Sequence, residues 1–164
     1  MEAESEFDLG IFLKWMESGG IPCLLIGRWA VIIHGAPLMT ADYDFWISPA
    51  HRKRVLALLE RRGFEVPDRS KWNKPLVTVY CGTEKIDLHS QGAVTNAVGR
   101  RLEFKDCLAR AETRSDPSGA FKVRIPCIDD LMALKKVQRT NPQDAVKDGA
   151  DIRFLEAIRR KAGK

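Results

Sequence analysis

Apolar positions recur along this chain with a period that changes from segment to segment, and each change predicts an element. Phe7, Ile11 and Trp15 stand at helical spacing, Phe12 and Met16 widen the stripe, and Gly19-Gly20 stops the helix. Ser5, with Asp8 three residues on, has the form of a capping box and marks the expected start. Cys23-Leu24-Leu25-Ile26, bounded by Pro22 and Gly27, predicts a short buried strand, and Arg28 to His34 a short helix ending at Gly35. Asp42 to Ile47 alternates: Tyr43, Phe45 and Ile47 point one way, Asp42, Asp44 and Trp46 the other. That is a strand with one face in the core. Ser48-Pro49 supplies an N-cap and a first-turn proline for a helix with Val55, Leu58 and Leu59 inward, closed by Gly63. Leu76 to Cys81 and Lys85 to His89 flank Gly82-Thr83 as a hairpin, with Ile86 and Leu88 inward and Lys85, Asp87 and His89 on the other face.

Beyond the hairpin the periodicity weakens. Between Gln91 and Gly119 it supports only a short helix around Lys105 to Glu112, followed by a strand over Phe121 to Ile125. Asp129 or Asp130 starts a helix with Leu131, Leu134 and Val137 on one side. Asn141-Pro142 breaks it, and a last helix runs to about Lys161 with Ile152, Leu155 and Ile158 inward. Neither repeats nor low-complexity segments occur. The expected class is α+β, a mixed sheet flanked by helices with a C-terminal helical segment. It is expected as one domain over 1–164, with a body over about 5–126 and a tail over about 127–162.

Composition excludes several classes. With 45% hydrophobic and 30% charged residues over 164 positions, the chain can bury a core, and wholesale disorder is excluded. No apolar run approaches the roughly 18 residues of a membrane span, so no membrane association is expected. The acidic start, Met1 to Glu6, is unlike a secretory or transit segment, which predicts a cytoplasmic protein. Cys23, Cys81, Cys107 and Cys127 form no CxxC pair and stand at no zinc-ligand spacing; they read as reduced thiols in or near the core. The net charge of +5 is modest, but the basic residues cluster. Arg52, Lys53, Arg54, Arg61 and Arg62 form one group, and Arg100, Arg101, Lys105 and Arg110 another. Lys135, Lys136, Arg139, Arg159, Arg160, Lys161 and Lys164 weight the last third. These groups are either solvated helix faces or the surroundings of a polyanion such as a nucleic acid or a nucleoside triphosphate.

The main chemical signal is Asp42-x-Asp44. Two residues apart on a strand share a face, so two carboxylates lie side by side where strand packing asks for neither. Such a pair is either a solubility device on an edge strand or a site for a hard divalent cation, whose charge offsets the repulsion. Asp87 projects from a later strand opposite Ile86 and Leu88, and neighbouring strands would bring the three acids together. Carboxylates that hold metal in this way serve phosphoryl and nucleotidyl transfer. Upstream, the strand-Gly27-helix turn offers backbone N–H groups to a phosphate. His34 reads mainly as a turn-stabilising residue. His89 shares the face of Asp87 and is a candidate for the acceptor side. Trp46 either stacks on a base or, more simply, covers the sheet edge.

Leu24-Leu25-Ile26-Gly27-Arg28-Trp29-Ala30, His34-Gly35-Ala36-Pro37 and Thr40-Ala41-Asp42-Tyr43-Asp44, followed by Lys85-Ile86-Asp87-Leu88, resemble the nucleotidyltransferase superfamily that includes DNA polymerase beta. Within it the sequence is most similar to small bacterial AbiEii-like and minimal nucleotidyltransferases. The likeness continues at Ile128 to Lys135 and at Lys147-Asp148 with Asp151 and Leu155. It implies a nucleotidyltransferase-like fold in which Asp42, Asp44 and Asp87 hold Mg²⁺ (or Mn²⁺) and Asp87 is also the general base. Gly27, Arg28, Thr40 and Lys135 would then serve the nucleotide phosphates, Lys135 alternatively pairing with Asp148 and Thr40 orienting the start of the strand. The implied activity moves an NMP from an NTP such as ATP to a hydroxyl of RNA (often the end of a tRNA), a protein or a small molecule. A toxin-type member paired with an antitoxin-like protein, monomeric or dimeric, falls within that range. Two departures stand out. Arg28 replaces the second small residue of the family's Gly-Gly or Gly-Ser element, and Leu38 stands where many relatives have an arginine. Arg28 would clamp phosphate, crowd it out, or turn away to pair with Asp42 or Asp44. The alternative function is therefore a catalytically weakened binding or regulatory module of the same fold.

Overall fold

The computed structural model describes residues 7–116, 118–137, 139 and 141–163. Ser5, the acidic start and Lys164 lie outside the described residues. The first helix, α1 (Leu9–Ser18), is capped by Asp8, whose Oδ1 accepts from the Ile11 N–H at 3.0 Å. The buried stripe of α1 is Gly10, Phe12 and Met16, while Ile11 is exposed, so the helix is rotated from the expected Phe7-Ile11-Trp15 face. Phe7 precedes the helix and is buried among the rings of Tyr43, Phe45 and Phe64.

β1 (Cys23–Ile26), α2 (Gly27–Ile33) and β2 (Tyr43–Ile47) follow as expected. Ser48 caps the next segment by accepting from the Ala50 N–H, and α3 (Arg52–Arg61) buries Val55, Leu56 and Leu59. β3 (Leu76–Cys81) and β4 (Glu84–His89) form the hairpin. The four strands make one sheet in the order β1-β2-β4-β3. β1–β2 and β3–β4 pair antiparallel, while β2–β4 is parallel, because β3 starts at the end of the sheet where β2 finishes and carries the chain back to the start of β4.

The region from 91 to 119 holds more than the single helix expected there. β5 (Ala93–Thr95) and β6 (Arg101–Glu103) pair antiparallel, and α4 (Phe104–Ala109) follows directly. β7 (Glu112–Ser115) pairs with β8 (Lys122–Ile125). Strands of three or four residues carry too few alternations to be read from periodicity. α5 (Ile128–Lys135) ends before Val137, and α6 (Pro142–Ala162) opens on Asn141, whose Oδ1 accepts from the Gln143 N–H. Asn141-Pro142 thus separates two helices by starting the second.

Two apolar clusters lie on opposite faces of the sheet. The larger joins Phe12, Leu25, Phe45, Ile47, Val79 and Ile86 to α3, β8, α5 and, through Leu155, to α6. The smaller joins Leu24 and Trp46 to Leu102, Phe104, Cys107 and Ala133. Trp46 is only 1% exposed, meets Phe104 edge-on at 5.4 Å between ring centroids, and donates Nε1–H to the Gln91 carbonyl at 2.7 Å. It is therefore neither a base-stacking platform nor an edge cover. The β5–β6–α4 layer covers the apolar half of that sheet face, and the polar half is left open. Cys23, Cys107 and Cys127 are free thiols, and burial pushes the Cys107 thiol up to about 11. Among the described residues no helix is long and apolar enough to cross a membrane.

Candidate active site

The open half of that sheet face carries the acids. The β2–β4 register sets Asp44 directly beside Asp87, with Ile26 on one flank and Thr78 on the other. Parallel register puts both carboxylates on one face of adjacent strands, so the expected convergence of Asp44 and Asp87 follows from the topology. Asp42 lies exposed just before β2, where the Thr40 hydroxyl accepts from the Asp42 N–H at 3.3 Å. Thr40 thus orients the start of the strand through the backbone.

Each paired carboxylate is engaged with the protein. His89 Nε2–H donates to Asp44 Oδ1 at 3.0 Å. Thr78 donates its hydroxyl to Asp87 Oδ1 at 2.6 Å, and Lys85 Nζ lies 3.5 Å from Asp87 Oδ2. The Lys85 ammonium is held above its ordinary range chiefly by Asp87, with Asp42 and Asp44 adding to the effect against partial burial. One ammonium therefore sits in the combined field of all three acids. Among the described residues, no three His, Cys, Asp or Glu side chains already stand together in an arrangement that would hold an ion. The donor set, hard carboxylate oxygens crowded without a full complement of cations, fits a hard divalent ion by chemistry. His89 and Lys85 would compete with such an ion for Asp44 Oδ1 and Asp87 Oδ2.

Gly27 forms the turn from β1 into α2 with φ +68°, and an added Cβ would lie 2.5 Å from Asp44 Oδ2. The Asp44 carboxylate therefore rests directly over the turn. Both the left-handed backbone and the contact exclude a side chain. Gly27→Ala should lose about 1–3 kcal/mol of stability, measured by urea denaturation, and a variant as stable as the parent would show that the turn relaxes freely.

Arg28 does not turn toward Asp42 or Asp44. Its Nε donates to Asp151 Oδ1 at 3.2 Å, and a second guanidinium nitrogen lies 3.1 Å from the same oxygen. Lys135 takes the other side of Asp151 at 2.8 Å and reaches Asp148 at 3.6 Å. The expected Lys135–Asp148 pairing is thus present, but Asp151 is the nearer partner. Arg139 Nε donates to Asp148 Oδ2 at 2.8 Å; that bond holds its guanidinium above the ordinary range, and Asp144 and Asp44 also contribute. Arg139, at the α5–α6 junction, therefore lies within reach of the Asp44 charge.

Asp151, Arg139, Thr78 and the His89–Asp44 contact were not singled out from the sequence as parts of this site. A signal for Asp151 existed: it stands four residues before Leu155 on α6 and so shares the inward face, where a carboxylate needs cations. His34 is buried and donates Nε2–H to the Pro126 carbonyl at 2.9 Å, tying α2 to the strand-to-helix turn before α5. Burial holds its pKa below the ordinary value, against that carbonyl and Glu112.

A four-stranded mixed sheet flanked by helices, with paired acids beside a glycine turn and a closing C-terminal helix, is a nucleotidyltransferase-like fold. Among solved structures, the chain is similar to the lincosamide antibiotic adenylyltransferase LnuA with lincomycin bound, at TM-score 0.65 and 17% identity, over 96% of this chain and 99% of that one. It is also similar to the antibiotic-resistance factor ANT(2'')-Ia in solution, at TM-score 0.57 and 14% identity, over 92% and 86% of the two chains. The same factor in complex with adenylyl-2''-tobramycin aligns at TM-score 0.51 and 14% identity, over 92% and 94%. No protein-family profile and no curated protein sequence matches the chain.

Proposed function

We propose that this protein is a Mg²⁺-dependent (or Mn²⁺-dependent) nucleotidyltransferase that moves an NMP from an NTP to the hydroxyl of a small molecule. The observation that carries the reading is the Asp44–Asp87 pair in adjacent parallel register, one of its carboxylates resting over the Gly27 turn. Asp42, Asp44 and Asp87 would hold the metal, which when bound supplies positive charge to the reacting phosphate. Gly27, Arg28 and Lys135 border the side where the rest of the triphosphate would lie. An acceptor oxygen forms a bond to the α-phosphorus as the bond to the leaving pyrophosphate breaks, and the hydroxyl proton passes to a carboxylate oxygen of Asp87. The small-molecule acceptor is favoured because the similar structures are named for antibiotic substrates and align over nearly their whole length. The finer likeness to AbiEii-type toxins points instead to RNA or protein acceptors in the cytoplasm, and those are separate arms of the test.

A second reading, a weakened nucleotide-binding module, is favoured by the engagement of Asp44 with His89 and of Asp87 with Lys85. Incubation with labelled NTPs, Mg²⁺ and panels of hydroxylated small molecules, RNA and proteins separates the two. Labelled product that disappears when EDTA removes the metal is the expected result. Nucleotide binding with no product in any panel would establish the weakened module.

A further inference from the structure

We infer that Asp151, with Asp148 beside it, is a positioning residue that presents Arg28, Lys135 and Arg139 as one polyphosphate-binding face; this deepens the nucleotidyl-transfer reading and rests on it. The two acids stand three apart on α6, so they share a face of the helix. Each holds an arginine from elsewhere in the chain, Asp151 taking Arg28 of α2 and Asp148 taking Arg139 of the α5–α6 junction, and Lys135 lies between them.

Exposure gives the network a direction. The Asp151 side chain is 1% exposed and those of Asp148 and Lys135 10%, whereas Arg28 is 22% exposed and Arg139 41%. The anions lie behind with the Lys135 ammonium between them and the two arginines in front, so an approaching molecule meets guanidinium groups rather than carboxylates. Three cations against two acids leave one positive charge in excess. The face adjoins the sheet acids: Arg28 follows Gly27, over which Asp44 rests, and Arg139 lies in the field of Asp44. A nucleotide whose α-phosphate lies at Asp44 and Asp87 would extend its outer phosphates onto this face. Two arginines held from behind keep their remaining N–H donors aimed at an incoming oxyanion, at little further ordering cost. Arg28, the departure from a small residue at this position, is thereby a built part of the phosphate side, held by Asp151 away from Asp42 and Asp44.

The test is calorimetry on the full chain with Mg²⁺ and the best-bound of the four NTPs, its diphosphate and its monophosphate. Loss of a charge-assisted anchor should weaken NTP binding by about tenfold or more in Asp151→Asn, with the monophosphate changed by about twofold at most. Arg28→Met should show the same selective loss, and because its side chain reaches solvent it decides the matter if circular dichroism shows Asp151→Asn to be unfolded. An unchanged NTP-to-NMP preference in the folded variants, or an equal loss for all three nucleotides, overturns the positioning role while leaving the transfer reading intact. A wild-type chain that binds no nucleotide overturns both.

Discussion

Asp44→Ala should lower NMP transfer by roughly a thousandfold or more while leaving the fold in place, a loss corresponding to several kcal/mol of stabilisation at the reacting phosphate. Asp44 is central to the proposed site by three separate observations: it neighbours Asp87 across the β2–β4 pair, rests over Gly27, and accepts from His89. Its removal also takes away one of two like charges facing each other across adjacent strands, and the His89 it leaves behind is partly solvated. Stability should therefore change by no more than about 1 kcal/mol, the scale of a solvent-accessible ion pair. Steady-state transfer rates alongside urea denaturation check both halves. Retained transfer would remove Asp44 from the chemistry. Lost transfer accompanied by unfolding would make it a structural acid.

The second large effect lies on the same strand, two residues on. Trp46→Ala should cost about 3–5 kcal/mol, as truncation of a fully buried aromatic does. Against a total stability of about 5–15 kcal/mol for a domain, that is a substantial fraction. Trp46 anchors the smaller cluster: with Leu24 beside it on β1, it receives Leu102 and Phe104 from the layer formed by β5, β6 and α4. The Gln91 carbonyl would lose its donor as well. Equilibrium denaturation should show the loss, and Trp46→Phe, which retains a ring for Phe104, should lose less. Equal stability of Trp46→Ala and the parent would mean that the layer is held by its own contacts.

The elements that carry the acids were legible because their signals are local. The alternation through Asp42 to Ile47, the Ser48-Pro49 start and the Gly82-Thr83 turn each depend on residues a few positions apart. The β2–β4 register was not legible, since nothing in either strand specifies its neighbour; only the assembled sheet sets Asp44 beside Asp87. Arg28 shows the limit most plainly. Its alternatives were a phosphate, clamped or crowded out, and the nearby Asp42 and Asp44, whereas its partner Asp151 lies 123 positions away. The second face of Trp46 was missed for a related reason: its covering layer is built from three-residue strands that leave almost no periodic trace.

The parallel pairing of β2 with β4 bears on the order in which this molecule assembles. The β3–β4 hairpin closes over a short turn and can form early, since local contacts cost little loop entropy. The candidate site cannot form with it. Asp44 and Asp87 meet only when the hairpin docks on β2, a step that closes the long loop through α3 and brings two negative charges together at once. Docking therefore sets that repulsion against the His89–Asp44 hydrogen bond made in the same step, and cations in the surrounding solution, by screening the repulsion, favour closure of the sheet before any substrate arrives.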